Sequence, residues 1–491
     1  MYQKLKQKLS EIADIHYTMA LMSWDQEIYM PENGAARRGQ QMATLAGIAH
    51  EKSTSSEMGE ILEALSKDTA LTQAEKRNVE LTLKNYNKSK KFTTAFVENK
   101  SRTISEAFNN WQKAKEAKDF NMFLPYLEKI VAITKEECAL LGYSDHPYNA
   151  LIDQYEPDMT VAELDALFTD VKAKLKPLLE SLKSKPSASD DFLMQHFPKQ
   201  EQLNFGEALL AKLGYDFKSG RQDLSSHPFC TSFNALDVRV TTRVDEKDLA
   251  NSVWSTIHEC GHALYEQGLP DADYGLPTSE AISLGIHESQ SRFWENCIGR
   301  SSEFIDGFGP LFKAHFPSQF ASVSNEAFYK GINKVQPSLI RTEADELTYH
   351  FHVMIRYEIE KDLVSGQLEV KDVKRVWNEK YKEYLGVDVP HDGVGVLQDV
   401  HWSHGGIGYF PTYSLGSFYA AQWWSCIQRD IPNAKELVSK GETKEILQWL
   451  RTHVHQYGKL YSAEELCKRI SGEKLNFNYF MEYAQNKYSN I

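Results

Sequence analysis

The stretch Ile257-His258-Glu259-Cys260-Gly261-His262-Ala263 decides how the 491-residue chain is read, because it sets two imidazoles four residues apart with a carboxylate beside the first. On a helix, His258 and His262 fall one turn apart on one face, within reach of a single divalent ion, while Glu259 points about 100° round the axis. Neutral imidazole suits zinc, and the adjacent carboxylate can take a proton from zinc-bound water whose pKa the ion lowers to about 7. The pattern points to a zinc peptidase core. The same spacing also occurs in helices whose histidines are plain surface or core residues, so a third ligand has to decide between the readings.

The flanking residues predict the helix independently of the motif. Asp245 or Asp248 can cap its start, Ala250, Val253, Ile257, Ala263 and Leu264 supply apolar turns, and Gly268 with Pro270 reads as the stop. Cys260 then faces away from both histidines. A loop through Pro270, Asp271, Gly275 and Pro277 leads to a second predicted helix, roughly Ser279 to Asn296, carrying His287-Glu288-Ser289-Gln290. Between His262 and Glu288 stand 25 residues, a spacing that permits one loop and a returning antiparallel helix to bring the carboxylate to the metal. His258, His262 and Glu288 with one open position make a catalytic zinc site. Glu280, His287 and Glu295 compete on the same helix, and Glu295, two turns beyond Glu288, is read as the carboxylate that orients a ligand imidazole.

Length, charge and cysteine usage bound the rest. The chain exceeds the usual single-domain size, yet no stretch reads as a linker, so residues 1–491 are expected to form one domain, with a helical N-terminal lobe over roughly 1–210 and the chemistry in 229–415. With 68 acidic against 55 basic residues the net charge is −13, which argues against nucleic acid as a partner and calls for a local arginine to hold an anionic substrate. Six cysteines without a Cys-x-x-Cys pair fit reduced thiols in a cytoplasmic enzyme. The N-terminus lacks an apolar signal region and no run of about 18 apolar residues exists, so a soluble, unexported protein without a membrane partner is expected.

Along the chain, Leu5, Leu9, Ile12, Ile15 and Met19 keep helical spacing, and Trp24-Asp25-Gln26-Glu27 breaks it. Helical character continues to about 210, punctuated by Tyr143 to Pro147 and by a polar turn at Ser184-Lys185-Pro186-Ser187. From Leu236 to Val244 the period becomes two, predicting a short strand whose polar face carries Asp237, Arg239, Thr241 and Arg243. That face is either a solvent-facing edge with an internal Asp-Arg pair or a wall of the active cleft. Ser338 to Asp345 reads as the opening of a long helix through Tyr349, Met354 and Ile359. There Arg341 and Asp345 form either an i,i+4 salt bridge or, for Arg341, a fork for a substrate carboxylate. His350 and His352 read as packed core histidines. Gly395 to Trp402, a Gly405-Gly406-Ile407-Gly408 loop and Tyr409 to Tyr413 close the informative part, where His401 and a tyrosine hydroxyl are the donors a tetrahedral oxyanion needs.

Taken together, the chain resembles the carboxypeptidase Taq family of zinc metallocarboxypeptidases over nearly its whole length. The resemblance is carried, in order, by Asp237-Val-Arg239-Val-Thr241, His258-Glu259-Cys-Gly-His262, His287-Glu288-Ser289-Gln290, Ile340-Arg341-Thr-Glu-Ala344-Asp345 and Gly395-Val-Leu-Gln398-Asp399-Val-His401-Trp402, with Ser23 to Glu27 similar to its N-terminal region. It implies a mainly α, two-lobed gluzincin-type fold with a deep groove, a small β element before the zinc helix, and a cytoplasmic homodimer. It also implies removal of single residues from peptides with a free C-terminal carboxylate, with broad specificity and poor action at proline. On this reading His258, His262 and Glu288 hold one Zn2+ per subunit, with Co2+ a possible substitute, and Glu259 is the general base. Arg341, supported by Arg239, takes the terminal carboxylate, and His401 with Tyr409 or Tyr413 stabilises the oxyanion or the leaving group. Two rivals share the residues: an oligoendopeptidase or dipeptidyl carboxypeptidase on the same helical zincin body, and a non-catalytic peptide-binding protein that keeps the motif as structure.

Overall fold

The computed structural model describes residues 1–183, 188–489 and 491, so the turn expected at Ser184 to Ser187 lies outside the described residues. It is mainly helical, with one three-stranded sheet. Buried side chains from Ala107 to Tyr488 join in one large cluster, and a second, smaller one gathers Leu5, Ile12, Met58, Ile61, Leu62, Leu65 and Val79. Among the described residues no helix is long and apolar enough to cross a membrane.

The first helix, Tyr2–Ile28, runs through Trp24 to Glu27, where the sequence predicts a break. Tertiary contacts replace the lost apolar stripe. Trp24 is buried against the Arg239 guanidinium, 4.4 Å from its ring centre, and Asp25 pairs with Arg38 at 2.6 Å.

The sheet has the order β1-β3-β2, with β1 Gln222–Leu224 parallel and β2 Cys230–Asn234 antiparallel to β3 Asp237–Thr242. The strand expected here is therefore present but shorter, and it is the middle strand, which corrects the reading of a solvent-facing edge. Its polar face is largely satisfied within the protein. Arg239 donates from Nε and Nη2 to both oxygens of Asp237 at 2.8 Å, between the rings of Trp24 and Phe233. Thr241 is fully buried and accepts from the Phe229 amide.

The long helix predicted from Ser338 begins only at Tyr349 and runs to Ser365, with a single 3-10 turn at Arg341–Glu343 before it. Asp345 is the cause, because its carboxylate accepts from the backbone of Leu347, Thr348 and Gln336 and from the Thr348 hydroxyl. A short acidic side chain that captures nearby amides in this way competes with the helical ladder. The i,i+4 pair of Arg341 with Asp345 is consequently absent, and Arg341 turns to Asp399 instead. His350 and His352 are fully buried on this helix, as expected, bonded to Ser414 and Tyr381.

Candidate metal centre

The motif helix spans Leu249–Glu266 and is capped by Asp248, whose side chain accepts from the Asn251 amide. Its inner face enters the core at Val253, Ile257, Cys260 and Leu264, and Cys260 is fully buried there. The opposite face presents His258 and His262, ring centres 4.9 Å apart.

The second helix differs from expectation at both ends. Residues Pro277–Ser279 form a separate 3-10 turn, and Ser283 caps a shorter helix, Leu284–Arg292, by accepting from the Ile286 amide. Phe293–Ile298 continue as a π-helix, a widened turn that is rare and found mostly at functional sites. Two glycines let this helix lie against its neighbours. A Cβ on Gly261 would meet the Gln290 carbonyl at 2.5 Å, and one on Gly416, in the helix Pro411–Asp430, would meet Cγ of Glu288 at 2.5 Å. With no side chain at either place, the Glu288 backbone is clamped between two helices. Ser289 and Gln290 reinforce the clamp, accepting from the Trp423 indole and meeting His455 at 2.9 Å.

Glu288 Oε2 lies 3.7 Å from His258 Nε2 and 3.5 Å from His262 Nε2, and this trio can hold a metal ion. Tetrahedral ligands at the usual 2.0–2.1 Å from zinc stand about 3.4 Å apart, so the three atoms fit such an ion with little movement. Glu288 Oε1 faces the other way and accepts from Arg292 Nε at 2.6 Å. Glu295 does what its position predicts, accepting from His258 Nδ1 at 2.8 Å. Burial alone would raise its carboxyl, but Arg292, His258 and Arg300 hold it well below the usual carboxylate range. Glu259, only 7% exposed, stays outside the trio, and burial pushes its carboxyl up to about 7.

A wall of aromatic and charged groups stands beside Glu288. Arg341 is buried, donates from Nε and Nη2 toward Asp399 at 3.0 and 2.9 Å and from Nη1 to the Tyr349 hydroxyl at 2.9 Å. That leaves two of the five guanidinium donors uncommitted among the described residues. Asp399 is shared with Arg356, and the two cations hold its carboxyl far below the normal range despite burial. Arg341 also lies 4.9 Å from the centre of the Tyr413 ring, and Tyr413 sits 3.1 Å from His401 Nε2. Burial, with Arg341 next in weight, pushes His401 down to about 3, so it is a neutral imidazole. The Tyr409 hydroxyl is pushed up to about 12, first by burial and then by Glu288, and so stays protonated beside the cluster.

Sequence reading missed several groups. Arg292 and Glu266 are not singled out, and Tyr349 is placed only along the predicted long helix. Glu360 was missed too: on a helix a glutamate reads as surface, yet it is fully buried and anchors the loop that follows His401. Its carboxylate accepts from the Trp402 indole at 2.8 Å, the Gly408 amide at 3.0 Å and the Tyr148 hydroxyl at 2.8 Å. Gly408 has a positive φ of 101°, which only glycine adopts freely. Glu360→Gln points an amide NH2 at the Gly408 N–H and should cost about 1–3 kcal/mol of stability at pH 5. Burial raises the Glu360 carboxyl to about 7 from 4.5, so its contribution is complete at low pH and is lost as pH rises through 7. Thermal melts should therefore show the gap between parent and variant narrowing from pH 5 to pH 8; a widening gap would contradict this account.

Known proteins agree with the site in kind. The carboxypeptidase Taq (M32) metallopeptidase family matches residues 4–488. Carboxypeptidase 1 of Bacillus subtilis (strain 168) is 41% identical over 485 residues, 98% of this chain and 97% of its own length. Thermostable carboxypeptidase 1 of Thermus thermophilus is 38% identical over 507 residues, 99% and 98% of the two chains. The crystal structure of an M32 carboxypeptidase from Deinococcus radiodurans R1 superposes with a TM-score of 0.97 at 36% identity, covering 99% of this chain and 98% of that one. With the two imidazoles and the carboxylate already in place for a divalent ion, the chain belongs to the carboxypeptidase Taq (M32) family of metallopeptidases, enzymes that hydrolyse peptides.

Proposed function

We propose that this metallocarboxypeptidase works with zinc, or cobalt in its place, and releases one residue at a time from free C-termini, broadly across side chains and poorly at proline. The observation that carries this reading is the convergence of His258 Nε2, His262 Nε2 and Glu288 Oε2 beside a buried carboxylate that is not one of them. A divalent ion held by the three supplies a Lewis acid that polarises a carbonyl and acidifies water. Glu259 takes the proton of the attacking water and later delivers it to the departing amine, a task suited to a carboxyl whose burial places it near neutrality. Tyr409, kept protonated, and the neutral His401, held by Tyr413, donate to the developing oxyanion or leaving group. Arg341 offers its two remaining donors to the terminal carboxylate, while Asp399 and Tyr349 fix the plane of the guanidinium. Arg239, already bidentate on Asp237, stiffens the sheet beside the motif helix and assists at a distance. The whole chain acts as one domain, in a cytoplasmic homodimer.

Timed digests followed by mass spectrometry test the reading. Ladders that shorten by one residue, abolished by a chelator and restored by Zn2+, are expected. Dipeptide steps or internal cuts would favour the dipeptidyl carboxypeptidase or oligoendopeptidase alternative, and chelator-insensitive cleavage would overturn the metal chemistry.

A further inference from the structure

The two nitrogens of the His262 ring have different surroundings. Nε2 faces Glu288 at 3.5 Å, within the ligand trio. Nδ1 lies 2.6 Å from Nδ1 of His287, and the other ring nitrogen of His287 lies 2.8 Å from Oε1 of Glu266. Two imidazole nitrogens in contact share one hydrogen, so one donates and the other accepts. The His287 tautomer that donates from Nε2 to the Glu266 carboxylate leaves its Nδ1 a bare lone pair. Nδ1 of His262 must then be the donor, and Nε2 of His262 is left unprotonated, as a metal ligand has to be.

We propose that His287, oriented by Glu266, is a positioning residue that fixes the tautomer and ring plane of His262 for the metal. The inference rests on His262 being a ligand. It also separates the two histidines, for His258 reaches its carboxylate, Glu295, directly at 2.8 Å, whereas His262 does so through an intervening imidazole. Ligand histidines usually donate to a carboxylate, a carbonyl or water. The relay is built into the packing: the Tyr265 ring meets His287 edge-on with centres 5.3 Å apart, and its own hydroxyl accepts from the Ile282 amide. With both nitrogens engaged, His287 is unavailable as a ligand itself, although it neighbours Glu288 in sequence.

The test measures the Zn2+ dissociation constant of metal-stripped full-length protein by competition with a chromophoric chelator, with circular-dichroism melts of the metal-free forms as the folding control. His287→Leu removes the acceptor and should weaken zinc binding about 10- to 100-fold. His287→Asn sets an amide oxygen at the position of Nδ1 and should recover most of that loss, which a purely structural role for the ring would not produce. If His287→Leu fails to fold, Glu266→Leu carries the test, since it frees His287 to take the wrong tautomer and should also weaken binding. Parent affinity in the variant tested, or an asparagine variant as weak as the leucine one, would overturn the positioning role. Unchanged affinity in His262→Ala would instead overturn the ligand assignment on which it stands.

Discussion

Glu259→Gln is expected to keep one equivalent of metal per chain and to lose about 10⁴-fold in kcat, the upper end of what a positioned acid-base group contributes. The upper end applies because the same carboxyl serves twice, as acceptor from water and as donor to the amine. The change is nearly isosteric, and Glu259 is outside the ligand trio, so neither shape nor coordination is disturbed. Burial already holds the carboxyl near pH 7, so a neutral amide there brings no new desolvation cost. A loss of that size is about 5 kcal/mol of barrier. Metal content by atomic absorption and single-turnover rates check it together: a variant that turns over within tenfold of the parent removes Glu259 from the chemistry, and one that loses metal makes it structural.

Peptides amidated at the C-terminus should be poorer substrates than the free acids by roughly 30- to 150-fold in kcat/KM. Removing one member of a buried, hydrogen-bonded charge pair costs about 2–5 kcal/mol. The lower third of that range applies, because Asp399, although shared with Arg356, already offsets part of the Arg341 charge and leaves less of it stranded when the substrate carboxylate is missing. In Arg341→Met the ratio between acid and amide should collapse toward one, while Asp399 keeps Arg356 as its partner at 2.7 Å. Equal cleavage of acids and amides by the parent enzyme would remove recognition of the chain end from the mechanism.

Local features were legible from residues alone because their causes lie within a turn or two of chain. The paired histidines on one helical face, a cap at Asp245 or Asp248, of which the structure uses Asp248, the turning of Cys260 away from the histidines and the change to period two before the motif helix all follow from short-range geometry. Glu295 as the partner of His258 follows from helical spacing in the same way. The helix expected from Ser338 failed for an equally local reason that pattern reading overrides: Asp345 captures four donors and ends the ladder before it starts.

What the sequence determined by itself was the donor set, two imidazoles and a carboxylate with a fourth group beside them, and the helices that carry them. Tertiary structure alone decided that they meet. Glu288 reaches the histidines because Gly261 and Gly416 let three helices approach to backbone contact. Arg341 lies beside Asp399, 58 residues away, rather than beside its helical neighbour. His287 and Glu266 join His262, and Glu360 holds the loop after His401, through contacts between segments distant in the chain. Periodicity reports which face of an element is apolar; it carries no information on how closely two elements pack or on which buried polar group will satisfy another.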